Sequence, residues 1–209
     1  MWRIKTTEGH KRYWQNRQID WTKDYTSTWS HPHRYMISAV LKTFSWFSLF
    51  EVGCGSGANL INIVKNFPNC QLGGVDISSE AIATGEKTLK GAVFKVGSGD
   101  DIMMSDDSAD VILSDMCLIY VSPWDINRYL KEIKRVTRQH VILCEFHSES
   151  FWSRMKLRIT SGYNAYNYRK LLQKHDFYDI MTYKIPLEAW PGGEPQKTFG
   201  YIIHAKVFK

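Results

Sequence analysis

Apolar and polar residues alternate between two spacings along the chain. Residues 8–45 carry a helical spacing in two pieces, broken at His31-Pro32, and Ile37, Val40, Leu41 and Phe44 form the stripe of the second. A short apolar run follows at about 48–53, then a helical stretch at 57–67 with Leu60, Ile61 and Val64 inward and Pro68 as its stop. The alternation repeats: a strand at 71–76, a helix at 80–90 capped by Ser78 or Ser79, and a strand at Ala92–Val96. After the Asp107-Ser108 turn comes a strand at 109–114. A helix then runs from Pro123 in its first turn to about 138, with Ile126, Tyr129, Leu130, Ile133 and Val136 on one face. Val141–Phe146 reads as a fifth strand, 147–163 as irregular, and 165–175 as a helix. Two last strands, 178–185 and 198–207, flank the Pro/Gly loop 188–195 as an antiparallel hairpin edge. The pattern predicts an α/β fold: a Rossmann-like doubly wound, seven-stranded sheet, mostly parallel with one antiparallel C-terminal strand, plus an N-terminal helical cap. The expected division is a cap over residues 1–45 and a cofactor-binding domain over 46–209.

Composition narrows the class. At 44% hydrophobic and 23% charged over 209 residues, the chain can bury a full core. Met1–Thr6 lacks the apolar core of a signal peptide, and no run of about 18 apolar residues occurs, so a cytoplasmic protein with no membrane span is expected. Cys54, Cys70, Cys117 and Cys144 are far apart with no C-x-x-C pair, which reads as reduced core thiols. The charge is uneven: net +5 over residues 1–47, −4 over 48–146 and +5 over 147–209. An acidic middle with basic flanks suits an anionic substrate, nucleic acid among them.

The densest chemistry lies at Leu49–Gly57. An apolar strand ends in Glu51, and Gly53, Gly55 and Gly57 alternate before a helix starts at Ala58. Glycine lets a ligand approach the backbone, and the helix N-terminus offers N–H donors. Twenty-three residues after Gly53, Asp76 ends the second strand, at an exposed strand end where a carboxylate accepts two bonds from a ribose diol. Ile77 would lie against one face of a base. Together these positions specify an adenosine-containing ligand.

In this ordered set the chain resembles the class I S-adenosylmethionine-dependent methyltransferases, over about residues 46–207. The matching pieces are E-x-G-x-G-x-G at 51–57, Asp76, Phe94–Gly99, Leu113-Ser114-Asp115 and Asp176-Phe177. The resemblance implies S-adenosylmethionine as cofactor, S-adenosylhomocysteine as product, and Ser98, Gly99 and Asp100 (or Asp101) around the adenine. It places Asp115 beside the methyl donor. Family members often have Asp where this chain has Ser98. Gly53-x-Gly55-x-x-Ala58 also satisfies a dinucleotide fingerprint, so an NAD(P)-binding oxidoreductase is a lesser alternative. The strict glycine alternation and the residues ahead of the first strand favour the methyl donor.

The donor methyl is already activated, so the protein mainly aligns a nucleophile and excludes water. A base matters when the nucleophile carries a proton. His147, just after the fifth strand, is the first candidate, with His31 and His33 beside Pro32 as the others. Tyr25, Trp29, Tyr120 and Trp124 are candidate roof aromatics over the acceptor, under a lid of residues near 14–35 and 147–165. Ser114-Asp115-Met116-Cys117 differs from the tetrapeptide of base-amine methyltransferases and has no Pro-Cys nucleophile. Nothing pairs with Asp115 to hold a metal. The expected reaction is methylation of a small-molecule acceptor at oxygen. The alternative is a tRNA or other RNA acceptor recruited by the basic flanks. The oligomeric state is open.

Overall fold

The computed structural model describes residues 6–190, 195–197 and 199–208. Residues 191–194, the centre of the expected Pro/Gly loop, and Met1–Lys5 of the N-terminal reading lie outside the described residues.

Seven strands form one sheet in the order β3-β2-β1-β4-β5-β7-β6. They are β1 (Ser48–Val52), β2 (Gln71–Asp76), β3 (Val93–Val96), β4 (Ala109–Asp115), β5 (Thr137–Phe146), β6 (Phe177–Lys184) and β7 (Gly200–Val207). All pair in parallel except β7, which lies antiparallel between β5 and β6. The expected hairpin is present, with β6 at the sheet edge and β7 inside it.

Alternate strand residues face opposite helical layers. Phe50, Val52 and Ile112 pack with Leu130 and Ile133 of α6 (Ile126–Val136) and Leu172 of α8 (Tyr168–Lys174). Leu49, Val111 and Leu113 pack with α3 (Pro32–Leu41), α4 (Ala58–Asn66) and α5 (Ser79–Thr88). With both faces covered, the central strands read as continuous apolar runs. The chain leaves β1 toward β2 and β3, then returns to β4 on the other side of β1. That reversal opens a crevice at the carboxyl ends of β1 and β4.

Four expectations change. The first N-terminal piece is itself broken: α1 (Thr7–Gln15) stops at Asn16, and Asp20 caps the short α2 (Trp21–Asp24) by accepting from the Lys23 N–H. A 3₁₀ turn, Thr26–Ser30, follows before Pro32 opens α3. Pro123 precedes its helix rather than sitting in the first turn. The Asp125 carboxylate accepts from Thr7 Oγ1 at 2.5 Å and Ser122 Oγ at 2.7 Å, so it makes no side-chain cap on α6. Residues 137–138 begin β5 instead of ending α6. The stretch 147–163 contains a helix, α7 (Phe151–Ser161), capped by Ser150 and closed by Gly162 in the left-handed region. Its outward face carries exposed Phe151, Trp152 and Ile159, and Leu157 is its one buried residue, so the inward stripe is faint. The four cysteines are free; Cys54 and Cys144 are buried, Cys70 and Cys117 half-buried. No helix among the described residues is long and apolar enough to cross a membrane.

Candidate functional site

The glycine turn after β1 is tied to the end of β2. Gly53 and Cys54 N–H both donate to Val75 O, at 2.8 and 3.1 Å. Gly53, Gly55 and Gly57 have φ of 77°, 51° and 84°, a region costly for side-chain-bearing residues. A Cβ at Gly53 would come within 2.4 Å of Cys117 Sγ, so the turn also needs glycine to pass the loop after β4. Gly55 N–H donates to Asp76 Oδ2 at 2.8 Å and Gly57 N–H to Cys54 O at 2.9 Å. Two of the backbone donors expected to face a ligand are therefore already used inside the protein.

Asp76 is half-buried rather than exposed, and its Oδ1 accepts from Ser78 N–H at 2.9 Å. Burial raises its carboxyl above the ordinary range, against the pull of those backbone donors. Each oxygen keeps a second lone pair, and the residue lines the crevice together with Ile77, Ser98 and Gly99. A Cβ at Gly99 would meet Val52 at 2.5 Å, so this wall is packed tightly. Asp100 does something else. It pairs with Lys11 Nζ at 2.9 Å and with Arg128, accepts from Ser98, and clamps α1 to the sheet edge. Burial opposes its charge, yet these partners hold its carboxyl down at about 2. Asp100 is not among the residues lining the crevice, and Asp101 is exposed.

At the deep end, Asn59 bridges two buried carboxylates. Its Nδ2 donates to Glu51 Oε1 at 2.5 Å and to Asp115 Oδ2 at 3.0 Å. Burial, with Asp115 close by, pushes the Glu51 carboxyl up to about 8, and its Oε2 is buried without a hydrogen-bond partner among the described residues. Burial also opposes charge on Asp115, but His33 and Arg34 overcome it and hold that carboxyl far below its ordinary range. The pair is thus one neutral acid and one anion. Arg34 Nη1 reaches Asp115 Oδ2 at 2.9 Å and His33 Nε2 reaches it at 3.3 Å. The His33 ring is 3% exposed and stacks on Trp190 at 4.7 Å, and its Nδ1 has no partner among the described residues. Gly200 makes room for that stack, since a Cβ there would sit 2.5 Å from the Trp190 ring.

The cavity holds about 470 Å³. Its roof comes from the N-terminal segment: His10, Lys11, Trp14, Trp21 and Tyr25 line it, and Trp14 packs edge-on against Tyr120 at 5.5 Å. Thr7 pins this roof, accepting from Ser122 N–H at 2.8 Å while donating to Asp125. Of the expected roof aromatics, Tyr25 and Tyr120 line the cavity; Trp29 lies under Lys65 and Trp124 is exposed. His31 also lines the cavity, its imidazole pKa lowered by burial and by Arg34.

His147 is placed elsewhere. It lines a separate hollow, and its Nδ1 accepts the Tyr168 N–H at 3.2 Å. His147, the first candidate base of the sequence reading, is thus outside the cavity lining, whereas His31 and His33 are in it, and residues 147–165, expected as part of a lid, do not contribute to that lining. Asn59, Arg34 and Trp190 were missed in the sequence. Asn59 had a usable signal, since it lies on the first turn of the helix that follows the glycines.

Residues 49–140 match the family model of a methyltransferase domain. That match spans less than half of the chain and takes in the glycine turn, Asp76 and Asp115, the stretch that resembles the class I S-adenosylmethionine-dependent methyltransferases. The chain is 32% identical over 75 residues to an uncharacterised protein of Rickettsia prowazekii, covering 32% of this chain and 30% of that one. It is 26% identical over 133 residues to an uncharacterised methyltransferase of Schizosaccharomyces pombe, covering 57% and 46%. The chain thus spans less than half the length of either curated relative. Among solved structures it resembles a Pyrococcus horikoshii protein, at TM-score 0.66 and 16% identity over 91% of this chain and 100% of that one. It also resembles magnesium protoporphyrin IX methyltransferase of Synechocystis with bound S-adenosylhomocysteine, at TM-score 0.64 and 14% identity over 98% and 96%. These likenesses show the fold. The same Synechocystis enzyme is also found with bound S-adenosylmethionine.

Proposed function

We propose that this protein is a methyltransferase that methylates a hydroxyl of a small acceptor, with His33 as the general base and Asp115 orienting it. The observation that carries the reading is the His33 ring, buried in the cavity wall with Nε2 on a carboxylate and Nδ1 unpartnered. In the neutral ring Nε2–H donates to Asp115, which leaves Nδ1 as the acceptor. A buried imidazole in the cavity lining, held on one side by a carboxylate, is the kind of group that proton abstraction uses.

The residues present fit the cofactor. Asp76 keeps lone pairs for a ribose diol, Ile77, Ser98 and Gly99 offer a wall for a base, and the unpartnered Glu51 oxygen marks a polar position under the glycine turn. When bound, S-adenosylmethionine supplies an electrophilic methyl on a sulfonium. The aromatic roof of Trp14, Trp21 and Tyr25 excludes water and offers π-faces to a cation. A small acceptor fits this reading because the N-terminal segment covers the cavity. The RNA alternative rests on the basic flanks, and in the C-terminal one Arg154 is engaged within the protein, donating to the carbonyls of Ser148 and Glu149.

The test is methyl transfer from labelled cofactor to a panel of phenols, alcohols and hydroxy acids, followed by His33→Gln on the best acceptor. Turnover should fall by about 10²–10⁴-fold. S-adenosylhomocysteine affinity should stay within about twofold of wild type, which also checks the fold. Full turnover in His33→Gln refutes the base assignment.

A further inference from the structure

A second hollow of about 460 Å³ opens on the carboxyl side of β5, against the end of β6 and the start of β7. His147, Ser148, Ser153, Thr182 and Lys184 line it, with Glu149 beside them. It shares no lining residue with the cofactor cavity.

The hydrogen bonds around it leave donors facing inward. His147 is 6% exposed, and burial lowers its pKa. Its Nδ1 accepts from Tyr168 N–H, so the ring proton sits on Nε2, the edge left for the hollow. Thr182 Oγ1 accepts from Arg169 Nη2 at 2.8 Å, and Ser148 Oγ accepts from Ser150 N–H at 3.3 Å. Both hydroxyl protons are then free to donate. Lys184 adds three N–H donors and a full charge. The anionic acceptor in the lining, the Glu149 carboxylate, lies 3.5 Å from Arg169 Nε and is partly neutralised. The backbone beneath is fixed: His147 N–H donates to Phe199 O at 2.8 Å and Ser148 N–H to Tyr166 O at 3.1 Å.

Three kinds of donor, an imidazole N–H, two hydroxyls and an ammonium, converge from two chain segments. That is the complement of a tetrahedral oxyanion, which offers lone pairs in several directions. The volume exceeds what a bare ion needs and leaves room for an organic remainder. The geometry points to a binding site for the phosphoryl group of a small phosphomonoester, separate from the cofactor cavity. The site stands independently of methyl transfer, and its test needs no turnover.

The probes are inorganic phosphate, β-glycerophosphate and acetate, followed by the imidazole nitrogen resonances of the full chain. Phosphate and β-glycerophosphate should move His147 Nε2 saturably at millimolar concentration, with β-glycerophosphate the tighter. Acetate should bind about tenfold more weakly, since it loses at least one charge-assisted bond. Lys184→Ala should weaken phosphate by about tenfold, and Glu149→Gln should strengthen it a few-fold by removing the anion. Lys184 and Glu149 are both exposed, so neither change touches the core. No saturable His147 shift overturns the site. So does acetate binding as tightly as phosphate, or the two variants changing affinity in the same direction. Tighter binding of inorganic phosphate than of the ester overturns the assignment to a phosphomonoester.

Discussion

Asp76→Ala removes two separable things, and the structure assigns a measurement to each. In the free protein the carboxylate holds Gly55 N–H and Ser78 N–H, joining the glycine turn to the β2–α5 corner. Bonds to a charged acceptor contribute about 1.5–3 kcal/mol each, and water replaces part of that at a half-buried site. The net loss should be about 2 kcal/mol, which lowers Tm by about 4–8 °C for a chain of this size. With the cofactor bound, the ribose diol loses two further partners. At 1.4 kcal/mol per decade, that is about a ten- to hundredfold rise in Kd for S-adenosylhomocysteine. Thermal denaturation of the free protein reads the first effect, and calorimetry well below Tm reads the second. Asp76→Asn keeps one acceptor oxygen and should fall between wild type and alanine in both. An unchanged Tm would mean that the turn is not held this way. An unchanged Kd would refute the ribose role, whatever Tm does.

Glu51 gives a pH prediction with a definite sign. Its folded pKa, about 8, lies above the unfolded value, so its stabilising contribution is complete below the unfolded pKa and is lost as pH rises through about 8. Tm should decline across that window, and Glu51→Gln should flatten the decline while changing Tm little at about pH 5; an equally steep decline in the variant contradicts a neutral Glu51. Gly53→Ala should lose about 1–2 kcal/mol from its positive φ and more from the contact with Cys117. The double variant with Cys117→Gly should recover only the contact part, and full recovery in a denaturation series would show that φ carries no cost. Thr7→Val should loosen the roof, speeding hydrogen exchange in α1 while leaving β1 and β4 protected; equal protection in α1 would show that Thr7 does not pin it.

Where a local signal decides the outcome, the sequence is a good guide. β2 runs over Gln71–Asp76 as read, because an apolar run is bounded by a polar start and an acid. Ser78 caps α5 because its hydroxyl meets the Ala81 N–H three residues on. The site resists such reading, because its working contacts join distant segments: Lys11 to Asp100, Arg34 to Asp115, His33 to Asp115. No spacing rule pairs residues about eighty positions apart. Strand order brings His147 to the ligand-binding edge of the sheet, but only tertiary packing decides that the Tyr168 N–H takes its Nδ1 and turns the ring to a different hollow. Helix α7 was hidden by its own exterior, whose aromatics mimic a buried pattern while facing solvent.

The anchor of the roof has a consequence for how the protein comes into being. Thr7 meets Asp125, 118 residues later. At roughly 5–20 residues per second, a ribosome takes about 6–24 s to make that interval. Helix α1 therefore waits for this anchor until β4 and the loop after it exist. Any factor that shields nascent apolar surface has its opportunity in that interval.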